Sequence, residues 1–399
     1  MTTRMLPEHA TALPGPSPGH RVPGIDALRG VAVVLVVLHH INLRFEIDDY
    51  DVAGLLPRSV EAPLFWSGYY SVMTFFVISG FLITTLSMRR WTFLEQIAPS
   101  RFYQLRGARI LPCLLILLAV LSVLHWVGAS DFTIRPQLAS LPRALVAALT
   151  FHVNWLEGHR GYLPANWDVL WSLSVEETFY LLFPVMCWML RKERWIMLCM
   201  LGLIIIGPFN RVALAGRDPW GDYAYLSCMD GIAFGCITAW ITARVRPGLT
   251  VSKVAMILGA VIVVTIVVLR KQTAELGLTK AGLNVTALES GVALLLIGFA
   301  RGVGNTALSR GTAWLRLAGR CSYEIYLTHM FVVLALMHPF KSLFGSRPAI
   351  AAVYLVTYAM MLALSILFGY VVERWLSAPL NRMLREDLAP PQIHQIGAL

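Results

Sequence analysis

The sequence predicts an all-α integral membrane protein with about ten transmembrane helices, one short re-entrant or interfacial helix and no soluble domain. Three observations predict it. The 399-residue chain is 57% hydrophobic and only 14% charged, against about 25% charged in ordinary soluble domains. Its mean hydropathy is +0.64. Its apolar residues gather into runs near the roughly 20 residues that a helix needs to cross a bilayer core of about 30 Å.

In order, the expected spans are 25–43, 64–88, 105–127, 169–190, 195–209, 222–242, 254–269, 282–300, 322–337 and 349–372. The apolar segment 144–156 is too short to span comfortably and reads as re-entrant or interfacial. Residues 1–23 are rich in Pro and Gly and read as a disordered cytoplasmic tail rather than a cleavable leader. Residues 24–382 form one transmembrane domain, and 383–399 a short polar tail with no appended soluble domain. No internal repeat is visible.

The positive-inside rule sets the expected orientation. Arg89, Arg90, Arg101, Arg106 and Arg109, then Arg191, Lys192 and Arg194, then Arg301, Arg310, Arg316 and Arg320 all fall on one side if the spans alternate. The first loop on the other side is acidic, with Glu46, Asp48, Asp49, Asp51 and Glu61. Both termini are therefore expected in the cytoplasm, with the chain in a bacterial-type inner membrane. Counting 144–156 as a full span would move the basic 191–194 loop to the other side. The net charge of +10 reflects this topology and anionic lipid. Nucleic acid is excluded as a partner, because the charges are dispersed over short loops. The six cysteines lie within or at the edges of apolar spans. Their spacing shows neither a metal site nor a disulfide framework. The sequence does not speak to oligomeric state.

Arg29 and His40 both lie inside the first span. Eleven helical steps carry the chain three turns plus roughly 20°, so the two share a face about 16 Å apart along the axis. Ionisable residues inside a span are costly and are functional by default. Asp26, three residues before Arg29, is placed to pair with it. The blander reading has Arg29 snorkelling to headgroups and His40 bonded to a neighbouring backbone carbonyl.

Arg106 and Arg109 share a face at the edge of the third span, a pattern suited to gripping phosphate as well as to ordinary basic flanking. Ser79-Gly80 is a small pair that permits close approach by a ligand or another helix. Asp168, Ser172, Glu176 and Tyr180 step by four along the fourth span and form one polar stripe beside Trp171. Glu176 is expected at the depth of His40, where a carboxylate can orient an imidazole. Tyr326 and His329 share a face of the ninth span, and His329 is a second acid/base candidate or a satisfied core histidine.

Five segments now match a family pattern. They are Ile25-Asp-Ala-Leu-Arg-Gly-Val-Ala followed by His40, Phe75 to Thr84, Arg106-Gly-Ala-Arg-Ile-Leu-Pro112, Trp171 to Pro184, and Ser322-Tyr-Glu-Ile-Tyr-Leu-Thr-His329. In this order, over about residues 24–382, they resemble the membrane-bound acyltransferase family 3, integral-membrane O-acyltransferases of glycans and some small metabolites. The family's Arg–x10–His signature falls on Arg29 and His40, its Arg-x-x-Arg on Arg106 and Arg109, and its Trp-Ser-Leu-x-x-Glu on Trp171 and Glu176. Thr178, Thr328 and Ala27 depart from residues usual in relatives, and none of the three replaces a proposed catalytic group.

The resemblance implies an acyl-CoA donor, expected to be acetyl-CoA, on the cytoplasmic side and a carbohydrate or small-metabolite acceptor reached from the other. No metal is expected. Arg29, Arg106 and Arg109 would hold the donor phosphates, with its arm passing Ser79-Gly80. His40 would deprotonate the acceptor hydroxyl or briefly carry the acyl group. Glu176 would orient the imidazole, with Asp26, Trp171, Ser172, Tyr326 and His329 in support. A transporter or flippase is the alternative, since buried Arg, His and Glu also line transport pathways.

Overall fold

The computed structural model describes residues 21–47, 56–344 and 351–386. Most of the expected N-terminal tail, Asp48, Asp49 and Asp51, and residues 387–399 lie outside the described residues. Among those described, every regular element is helical and ten helices are long and apolar enough to cross a membrane.

The chain enters α1 (Pro23–Ile47) through Pro23, with Asp26 in the first turn and Arg44 in the last. These suit a helix start and a helix end respectively. A short α2 (Arg58–Phe65) precedes α3 (Gly68–Trp91), and α4 (Pro99–Trp126) again starts on a proline. Two short helices follow, α5 (Leu141–Leu149) and α6 (Val153–Arg160), then the spans α7 (Leu170–Leu190) and α8 (Glu193–Ala213). The four-residue α9 (Trp220–Tyr223) leads into α10 (Tyr225–Trp240). Next come α11 (Leu249–Val268), α12 (Arg270–Glu275), α13 (Leu283–Ala300), α14 (Asn305–Gly311) and α15 (Ala313–Arg320). The long α16 (Ser322–Phe344) and α17 (Ala351–Val372) follow, and a wide helical turn over Glu373–Ser377 joins α17 to α18 (Ala378–Glu386).

Two expectations change. Segment 144–156 is not one helix. Phe151 takes a left-handed conformation (φ 57°) between α5 and α6, and the Thr150 hydroxyl bonds back to the Val146 carbonyl. The apolar run is thereby split into two pieces, each too short to cross. The second span starts at Gly68 rather than 64, because α2 ends at Phe65 and Ser67 bonds back to Pro63. The last described helix, α18, ends at Glu386.

Glycine sets the tightest helix contacts. A Cβ on Gly80 would fall on the Ile232 carbonyl oxygen, and one on Gly235 on the Val77 carbonyl oxygen, so α3 and α10 cross backbone to backbone. Gly30 and Gly319 do the same for α1 and α15. The largest core cluster gathers around α3, α7, α10 and α13, including Phe76, Phe81, Phe183 and Leu288. Val254, Ile257, Val261 and Val264 of α11 stay exposed, as a lipid-facing helix requires.

Candidate active site

Four helices, α1, α3, α7 and α16, converge on a buried polar column, and α4 closes one end of it. Arg29 and His40 do face the same way: both reach α16. The Arg29 guanidinium donates to the Ser322 hydroxyl (2.8 Å), and the His40 ring meets that of His329, one step of seven along α16, with centroids 4.8 Å apart. Helix geometry explains the match, since residues seven apart on α16 lie on one face.

Hydrogen bonding assigns the imidazole tautomers. His40 Nδ1 donates to the Val36 carbonyl (2.9 Å) and His329 Nδ1 to that of Tyr326 (2.8 Å). A carbonyl only accepts, so in the neutral rings both Nε2 atoms carry free lone pairs. His329 Nε2 is buried with no partner. The backbone bond that the blander reading offered for His40 is thus present, and it orients the ring rather than satisfying it. His39 points elsewhere: its Nδ1 donates to Phe65 O (2.9 Å) and its ring edge meets Trp66.

Two expected pairings are replaced. Asp26 and Arg29 form no ion pair within 4 Å among the described residues. The guanidinium reaches across to α16, while Asp26 sits where α1 crosses α15, its carbonyl against Gly319. Glu176 takes hydrogen bonds from Ser79 (2.5 Å) and Tyr180 (2.5 Å) instead of holding His40. The Ser79 and Tyr180 hydroxyl oxygens also lie against each other. The stripe read from the sequence explains this, because Tyr180 lies one turn beyond Glu176 and captures it first. His329 occupies the place expected for Glu176. Gly80 is not open to a ligand, since the α10 backbone fills the space above it.

The remaining groups complete the column. Arg109 pairs with fully buried Glu324 through two contacts of 2.7 and 3.4 Å. The Arg106 guanidinium lies 3.7 Å from the Tyr180 ring centroid, and its Nε is buried without a partner. Arg29 interacts electrostatically with Arg109, Asp26, Glu176 and Glu324, so these charges form one group, Asp26 acting at a distance beyond an ion-pair contact. Ser172 bonds to the Tyr326 hydroxyl (2.6 Å), and Trp171 stacks on Tyr223 with centroids 4.0 Å apart. Glu324 and Tyr180 are central here and were not picked out as site residues from the sequence. The signal was available, since each is a polar group inside a span that carries other proposed site residues.

The cysteines form no disulfide among the described residues. All six are free thiols, and five are buried. Cys321, just before α16, is pushed up to about 12 by burial, so its thiol stays protonated.

The family described as an acyltransferase domain, acyltransferase family 3, matches residues 22–374, nearly the whole chain. The chain belongs to this family. Among curated relatives of this acyltransferase-family chain, O-acetyltransferase OatA of Staphylococcus aureus (strain NCTC 8325 / PS 47) is 28% identical over 241 residues, covering 55% of this chain and 34% of that protein. A putative O-acetyltransferase of Staphylococcus aureus (strain COL) is 30% identical over 172 residues, 41% of this chain and 24% of its own length. The chain thus spans about a third or less of the length of these relatives. No solved structure matches it.

Proposed function

We propose that this chain is a membrane O-acyltransferase that moves an acyl group, acetyl in the simplest case, from acyl-CoA to a hydroxyl of a cell-envelope carbohydrate or similar acceptor. The face bearing Arg106, Arg109 and the termini is taken as cytoplasmic, on the distribution of Lys and Arg. Family membership and the O-acetyltransferase relatives support the reaction class. The observation that carries the reading is the tautomer of His40: Nδ1 is fixed by Val36, leaving the Nε2 lone pair free beside His329.

The reaction follows from that arrangement. His40 Nε2 takes the acceptor hydroxyl proton as the oxygen attacks the thioester carbonyl carbon. A C–O bond forms, the C–S bond breaks, and the thiolate takes the proton back from the imidazolium. His329 Nε2, with its unused lone pair, lies in the ring beside the imidazolium and is a second acceptor within the site. Arg109 holds donor phosphate, since each of its guanidinium nitrogens bound to Glu324 retains a further hydrogen, and Arg106 joins it with its unpartnered Nε. Placing both substrates in one passage supplies proximity, worth up to roughly 7–11 kcal/mol in ideal cases.

The test is the fate of labelled acetyl-CoA incubated with purified protein and envelope extract. A new ester on a glycan or small molecule supports the transferase. Passage of an unchanged solute across a vesicle wall, with no donor consumed, would replace it with the transporter reading.

A further inference from the structure

The structure holds a cavity of about 440 Å³ that the acyl-transfer column does not use. It lies between the start of α3, the α8–α9 loop and the connection from α11 to α13, on the face where α1, α8 and α11 end. Its size falls within the roughly 300–1,000 Å³ of small-molecule sites.

The lining has a defined chemistry. Trp66, Tyr69 and Tyr70 supply aromatic rings. Arg217, Asp222 and Asn284 supply planar polar groups of positive, negative and neutral character. A polyanion would meet Asp218 and Asp222 there, a cation would meet Arg211, Arg217 and Arg270, and a purely apolar ligand would leave them all desolvated. A saccharide suits every group: its C–H face covers an aromatic ring, and its hydroxyls both donate and accept.

The cavity also has unused bonding capacity. The Tyr69 hydroxyl is buried with no partner, an arrangement that calls for a ligand or water. Asn284 donates Nδ2 to the Tyr70 hydroxyl (3.1 Å), which leaves its carbonyl oxygen for a ligand. The walls are held in advance. Arg270 donates to Val267 O (3.1 Å), Trp66 O (2.7 Å) and Ser67 Oγ (2.5 Å), and lies 4.7 Å from the Tyr70 ring centroid. Such preorganisation lowers the cost of binding.

The cavity is coupled to the column by a chain of rings. Trp66 meets His39 at 5.9 Å between centroids, and His39 meets His40 at 5.5 Å. A ligand on Trp66 therefore sits one imidazole away from the proposed base. We infer that this cavity seats the saccharide part of the acceptor, with Trp66, Tyr69, Arg217 and Asn284 as its contacts. This rests on the transferase reading only for the word acceptor; saccharide binding stands independently.

The experiment reads binding without turnover. In the full chain, Cys199, the one exposed native cysteine, is replaced by serine, and Ala215→Cys places a thiol on the cavity wall. Labelling by a membrane-impermeant maleimide is timed with maltose, lactose, chitobiose, an oligosaccharide pool from the source envelope, inorganic phosphate or acetyl-CoA present. The expected result is labelling slowed about tenfold by at least one saccharide sample and by neither phosphate nor acetyl-CoA. Arg217→Ala at the exposed rim and Asn284→Ala should each raise the protecting concentration about tenfold, a step of about 1.4 kcal/mol. No protection by any saccharide sample, or protection by phosphate, overturns the proposal. Acyl transfer is read on the same samples. Saccharide protection without transfer keeps the cavity and removes the transferase reading. Transfer at the wild-type rate by protein already blocked at Ala215→Cys removes the cavity and keeps the transferase.

Discussion

Removing Glu324 should unbalance the whole polar column, and the structure sets the size of the effect. Its carboxylate is fully buried, and the partner Arg109 side chain is 26% exposed. Breaking a buried pair by deleting one partner costs about 3–5 kcal/mol, because the other charge is left uncompensated. The exposed quarter of Arg109 lets water and headgroups soften that loss, which places Glu324→Gln near the low end, about 3 kcal/mol. Arg109→Met alone should cost less, since a buried carboxylate left behind can take up a proton. The double variant leaves neither partner's charge behind and should recover about 2 kcal/mol of the summed losses. The assay is reversible unfolding of the four proteins in mixed micelles by added SDS, followed by helical circular dichroism. If the single losses add to within about 0.5 kcal/mol, the pair is uncoupled and the column is not organised by it.

Other perturbations separate packing from chemistry. Gly80→Ala forces a methyl group onto the Ile232 carbonyl. It should destabilise the fold by about 1–3 kcal/mol while leaving acetyl-CoA affinity unchanged in the surviving protein, measured by thermal unfolding and equilibrium binding. Arg106→Lys gives up the planar stack on Tyr180 and the forked grip on phosphate. The KM for acetyl-CoA should rise about tenfold with kcat little changed, equivalent to about 1.4 kcal/mol of lost binding. Glu157, in α6 outside the long spans, has its carboxyl pushed well above 4.5 by burial first and by neighbouring Asp168 second. A raised acid pKa favours folding while the group is protonated and loses that contribution as pH rises. Stability should therefore fall as pH rises above about 4.5, and Glu157→Gln should flatten that slope in thermal unfolding against pH.

The reach of the sequence differs between helices and side-chain pairs. Hydropathy located all ten spans, because apolar runs are long and membrane helices satisfy their backbones internally. The eleven-residue spacing placed Arg29 and His40 on one face for the same reason: it depends on helix geometry alone. What failed was choice of partner. Arg29 had Asp26 nearby in sequence and reached Ser322 instead, and His40 met His329 while Glu176 went to Tyr180 and Ser79. Those choices depend on which helices touch, and contact between α1 and α16 joins residues nearly three hundred positions apart. Gly80 shows the same limit from the other side. The sequence shows a small residue, and only the position of α10 shows what fills the space. Phe151 broke 144–156 through one left-handed residue, which an apolar run does not reveal.

The most direct measurement compares wild-type protein with His40→Ala and His40→Gln in transfer from radiolabelled acetyl-CoA, with donor binding measured on the same preparations. Loss of a general base removes typically 10²- to 10⁴-fold in rate. Transfer should fall by that factor in both variants, with donor affinity and unfolding curves close to wild type. Transfer at the wild-type rate without the imidazole would contradict the assignment of His40 as the base.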